Sequence, residues 1–97
     1  MLVKIHKSYR DVVAVCDSEL IGKKFEEGRK QLHLNEFFNG EEKPEEEVLE
    51  LMKDLEKEDV TFNIVGKKAI ELALKAGVIK EEGISTIQDV PFALVLL

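Results

Sequence analysis

The residue types best suited to chemistry are crowded into one stretch, Cys16-Asp17-Ser18-Glu19-Leu20-Ile21-Gly22-Lys23-Lys24-Phe25-Glu26-Glu27-Gly28. It holds a thiol, four carboxylates, two lysines and two glycines directly after an apolar run. A thiolate there could serve as a nucleophile if a base lay within hydrogen-bond reach, and a helix N-terminus would favour its ionised form. His6 is the nearest base in sequence. Residues 2–8 alternate as a half-buried strand and Val12-Val13-Ala14-Val15-Cys16 reads as a more central strand, so the two form a hairpin. If Ser8 pairs with Asp11 across the turn, His6 pairs with Val13 and Val3 with Cys16. The thiol then shares a side with Val3 and Ile5 while the imidazole points to the other, and the dyad fails on pleat parity. Cys16 is expected to be a buried small hydrophobe.

The other candidates in the stretch are polar. Asp17-Ser18 read as the N-cap of a short helix ended or interrupted by Gly22, with Glu19 in its first turn. Backbone N–H groups near Ser18–Leu20, with Lys23, could bind an anion, but the Asp17 carboxylate competes for the same donors. Gly22-Lys23 is not a phosphate-binding loop, because the first glycine is missing and Lys24 stands where Ser or Thr belongs. No cofactor motif is found. His6 and His33 have no partner at His-x-x-x-His or Cys-x-x-Cys spacing, so no metal site is expected.

The elements that must position these residues follow from pattern. Residues 29–35 alternate, with Leu32 and Leu34 facing in. Asn39-Gly40 is a turn signal with a short strand after it. Pro44 opens a helix whose Val48, Leu51, Met52 and Leu55 form one apolar stripe, ending near Glu58. Asn63 is expected to cap a further helix over 64–76, ended by Gly77. Ile84–Ile87 and Phe92–Leu96 are the last two strands, joined by Gln88-Asp89-Val90-Pro91. The expected fold is α+β: a two-layer α/β sandwich over residues 1–97 as a single domain, with a mainly antiparallel sheet and helices on one face.

Composition narrows the function. The net charge is −6. Residues 1–40 carry seven basic and six acidic groups, 41–60 three and ten, and 61–97 four of each. The acidic block repels phosphate and offers a docking face to a basic partner, which favours a protein partner over direct contact with nucleic acid; Lys23, Lys24, Arg29 and Lys30 are the exception. A lone cysteine points to a reducing compartment, the first residues alternate at once as a strand rather than a signal peptide, and no apolar run is long enough to span a membrane, so a cytosolic protein is expected. The apolar run Phe92–Leu97 suggests a homodimer through the edge of the final strand.

Val15-Cys16-Asp17, Glu19-Leu20-Ile21-Gly22-Lys23, Phe25, Glu27-Gly28, Phe38, Gly40, Asn63-Ile64-Val65-Gly66, Ala69, Ala73, Gly77-Val78-Ile79 and Val90-Pro91 together resemble an archaeal family known as domain of unknown function 424. The resemblance spans almost the whole chain. It implies a small two-layer α/β sandwich in an archaeal cytosol, and no established activity. Family members often carry polar residues after the last proline; here Phe92 and Leu94 stand there, so no role is carried over to that turn. The chain is therefore expected to be a non-enzymatic interaction module, without a catalytic constellation, that serves translation or RNA–protein assemblies through Asp17, Glu19, Gly22, Lys23, Lys24, Gly28 and Asn63. The rival expectation is a small-ligand or anion binder, or an enzyme, with its pocket around Cys16, Asp17 and Lys23.

Overall fold

The computed structural model describes residues 1–96. The elements in chain order are β1 (Leu2–His6), β2 (Val12–Cys16), a short 3-10 turn at Ser18–Leu20, β3 (Lys24–Glu27), β4 (Lys30–His33), β5 (Glu41–Glu42), α1 (Glu45–Leu55), β6 (Thr61–Val65), α2 (Lys67–Ala76), a second 3-10 turn at Glu81–Gly83, β7 (Ser85–Ile87) and β8 (Val90–Leu96). Six strands form one sheet in the order β5-β1-β2-β6-β8-β7, and β3-β4 make a separate two-stranded ribbon. All pairs are antiparallel except β2 with β6. Both helices lie on one face, as the α+β reading requires. Among the described residues, no helix is long and apolar enough to cross a membrane.

Strand β2 is apolar on both faces because both are covered. Toward the helices, Val13 and Val15 pack with Phe62, Ile64, Val48, Met52 and Ala69. Toward the ribbon, Ala14 and Cys16 pack with Leu2, Leu34, Phe38 and Val65, and Phe25 and Leu32 close over them. Gly40 is fixed by close approach: a Cβ there would stand 2.1 Å from the Val3 carbonyl oxygen.

Two expectations change. The hairpin register is Leu2↔Cys16 and His6↔Val12, one position from the expected pairing. Asp11 sets it by accepting from the Ser8 N–H and Lys7 Nζ with its side chain, which leaves a five-residue connection. Asn63 caps no helix, since 61–65 is a strand seated between β2 and β8 and α2 begins only after Gly66. The alternation Thr61-Phe62-Asn63-Ile64 is a strand pattern that runs straight into a helical stripe, which hides the boundary. The sequence pattern assigns residues 24–27 to no element; they form β3, paired with β4.

The last hairpin turn is only Gln88-Asp89, with φ of 49° and 66°. Pro91 lies inside β8, where its carbonyl accepts from Gly66 N–H. The Gly66 carbonyl is already taken by Ile70 N–H, so the N–H that proline lacks is not needed. β7 covers the outer edge of β8 along Val90–Phe92, which leaves only Ala93–Leu96 of the expected dimer edge open among the described residues; Leu97 lies outside them. Two adjacent non-glycine residues in the left-handed region are unfavourable by about 1 kcal/mol each. Asp89→Gly is therefore expected to raise the urea midpoint, corresponding to about 1 kcal/mol, while an unchanged midpoint would mean the turn is unstrained.

Candidate functional site

β2 and β6 run parallel side by side, and the chain leaves their carboxyl ends toward opposite faces of the sheet. After β2 it goes to the ribbon side, and after β6 into α2. A crevice opens at such a divergence. Asp17 stands in it. Its N–H extends the ladder by donating to the Val65 carbonyl at 3.1 Å. Its carboxylate turns to α2, where Oδ1 accepts from Ala69 N–H at 2.8 Å and Oδ2 from Lys68 N–H at 3.1 Å.

Asp17 therefore caps a helix fifty residues further along the chain rather than the turn that follows it, and Ser18–Leu20 has no side-chain cap. Gly66 makes room. Its φ is 111°, and a Cβ there would lie 2.4 Å from the Asp17 carboxyl carbon. Asp17 is 4% exposed. Burial pushes its carboxyl above the ordinary range, against the pull of the two N–H groups and of Lys68.

Two clefts flank this carboxylate. The larger, about 370 Å³, is lined by Glu19, Leu20, Lys67, Lys68, Asp89 and neighbours. The smaller, about 140 Å³, lies between Ser18, Glu19, Glu45 and Lys68. Lys67 and Lys68 were not expected to belong to a site. A readable signal existed: two lysines open α2, where the helix dipole favours anions. Asp17 answers that misplaced charge from outside the helix.

Of the remaining expected residues, only Glu19 joins Asp17 at the clefts. Gly22 and Gly28 turn the chain with φ of 85° and 62°. Lys23 and Lys24 are exposed at the root of the ribbon, away from the crevice; Lys24 Nζ lies 3.2 Å from Glu26. The ribbon is clasped from below, as Gln88 accepts from Glu26 N–H at 3.2 Å and donates its own N–H to Glu27 Oε1 at 2.8 Å. Asn63 is half-buried in mid-sheet, beside Ala14 and Leu94, and lines neither cleft.

The thiol and imidazole are separated for a reason other than the expected one. The observed register puts Cys16 and His6 on the same side of the sheet, but at opposite ends of the hairpin. Four residues of strand hold them about 13 Å apart. Cys16 is fully buried and its thiol is pushed up to about 11, chiefly by desolvation and then by the Asp17 charge. His6 stacks on Phe37 with centroids 4.2 Å apart, and its Nε2 lies 2.9 Å from the Phe37 carbonyl. Among the described residues, no three His, Cys, Asp or Glu side chains form a group able to hold a metal.

A family model described as "Protein of unknown function (DUF424)" matches residues 6–97. Among solved structures, the chain is similar to an uncharacterized conserved protein from Methanopyrus kandleri, with a TM-score of 0.84 and 24% identity over 98% of this chain and 90% of that one. At that identity the likeness bears on the fold. No curated protein matches the chain.

Proposed function

The chain belongs to the DUF424 family, and on that premise we propose that it is a non-enzymatic interaction module that engages a protein partner through the segment from Asp17 to Gly28 and the ribbon it opens. One observation carries the reading. The reactive groups at the head of this segment are committed to structure, Cys16 to the core and Asp17 to the cap of α2, whereas Gly22, Lys23, Lys24, Gly28, Arg29 and Lys30 are exposed. A ribbon held beside its turn by Gln88 presents that surface with little ordering entropy left to lose on binding. The setting we propose is an archaeal cytosol, and the partner a component of translation or of an RNA–protein assembly.

Affinity capture with chemical cross-linking tests this. The wild type should recover a defined partner that the triple variant K23E/K24E/R29E loses, with the fold intact by circular dichroism. An identical set of captured proteins for both would overturn the reading. The crevice supports a second one, a small ligand held between Glu19, Asp89 and the lysines of α2. A ligand at 100 times its Kd adds about 2.7 kcal/mol of stability, so a thermal-shift panel of phosphates, nucleotides and zwitterions separates the two.

A further inference from the structure

The helix layer carries a surface unlike the ribbon. Glu47, Leu51, Asp54 and Leu55 lie on one side of α1 by helical spacing. Along that side run two grooves. One, of about 430 Å³, is lined by Leu51, by Glu46, Glu47, Glu50 and Asp54, and by Lys43, whose charge is met by Glu41 and Glu47. The next, of about 380 Å³, is lined by Leu55, Glu58 and Asp59 and by Lys7 and Tyr9 of the β1–β2 connection. Leu51 and Leu55 are only partly buried against the core. Tyr9 is wholly exposed, at 109%.

Residues 41–60 concentrate the charge of the molecule, ten acidic groups against three basic. Among the described residues, Glu46, Asp54 and Glu58 have no ion-pair partner. We propose that this groove binds a cationic amphipathic segment of a partner protein, its apolar residues on Leu51 and Leu55, its Lys or Arg side chains on the acidic lining, and one cation over the Tyr9 ring.

Charge complementarity selects that occupant. A second copy docked face to face would bring the same negative helix face, and nucleic acid would bring more negative charge. Apolar and acidic lining residues together distinguish an amphipathic segment from a merely basic one. An exposed tyrosine suits a cation at the end of the groove. This surface lies across the sheet from the ribbon, so the proposal stands or falls separately from the reading above.

Isotope-labelled full-length protein is titrated with a synthetic Leu/Lys amphipathic helical peptide at physiological salt, and with a scrambled peptide of the same composition. The amides of Glu46–Leu55 and Tyr9 should shift. The scrambled peptide should bind about tenfold more weakly, and E46K/D54K should weaken the amphipathic peptide by about tenfold. Tyr9→Ala should weaken it several-fold. Both acidic positions are exposed, so the variants should keep the wild-type thermal midpoint; E46Q/D54N provides a milder pair should the reversal disturb α1. Equal affinity for the two peptides, unchanged binding by both acidic pairs, or shifts confined to the ribbon would overturn the proposal.

Discussion

Gly66→Ala is expected to lower the stability of the folded chain by about 1.5–5 kcal/mol. Two effects add. The backbone at Gly66, with φ of 111° and ψ of 153°, lies in a region that only glycine occupies freely, and a side chain there costs about 1–3 kcal/mol. The new methyl would also sit 2.4 Å from the Asp17 carboxyl carbon and 2.6 and 2.8 Å from its oxygens. The carboxylate would have to leave the α2 N-terminus, and loss of a cap costs about 0.5–2 kcal/mol. The backbone cannot shift to relieve the overlap, because Gly66 N–H is bonded to Pro91 and its carbonyl to Ile70, each at 2.9 Å. Native domains hold a margin of only about 5–15 kcal/mol, so urea unfolding should show the loss plainly. A cycle with Asp17→Ala isolates the contact: Gly66→Ala should cost less once the carboxylate is gone, leaving the backbone penalty alone. A loss below about 1 kcal/mol in the wild-type background would show that Asp17 is not seated where Gly66 admits it.

The sequence was legible where one residue's pattern decided one element. The stripe Val48, Leu51, Met52, Leu55 after Pro44 located α1, and Gly77 ended α2 with φ of 79°. The both-sided apolar run of β2 placed it inside the sheet. Legibility failed where a side chain acts at a distance. Asp11 reset the hairpin register through its carboxylate, and with it the side of the sheet that Cys16 faces. Asp17 followed by Ser18 reads as a local cap, and nothing within four residues tells that its donors are Lys68 and Ala69. The parallel pairing of β2 with β6 was hidden for the same reason, since the strand pattern of 61–65 runs without a break into the helix. Glu19 could be placed from sequence; Lys67 and Lys68 could have been, because a helix that begins with two cations breaks a local rule and such breaks tend to mark compensated or functional positions.

Removing that compensation should be severe. Asp17→Ala leaves the part-buried Lys68 N–H and the buried Ala69 N–H without their acceptor, and is expected to destabilise by about 2–4 kcal/mol at neutral pH. Asp17→Asn keeps the shape and one acceptor, so its loss should be smaller, and it removes the titration. The pH dependence then has a definite sign. Because burial raises the Asp17 carboxyl above its unfolded value, the native state holds this proton more tightly than the unfolded chain does. The stability that Asp17 contributes is fully present below the unfolded value, near pH 4, and declines as pH rises through the folded one. Asp11 and Glu42, both held below the ordinary range by hydrogen bonds and nearby positive charge, act in the opposite sense, losing stability as pH falls. They are common to both proteins and cancel in the difference. Wild type minus Asp17→Asn, followed by urea unfolding from acid to neutral pH, should therefore decrease with rising pH and then level off. A difference that grows with pH would mean that the two α2 amides outweigh desolvation, and that the carboxylate is held as an anion by the helix it caps.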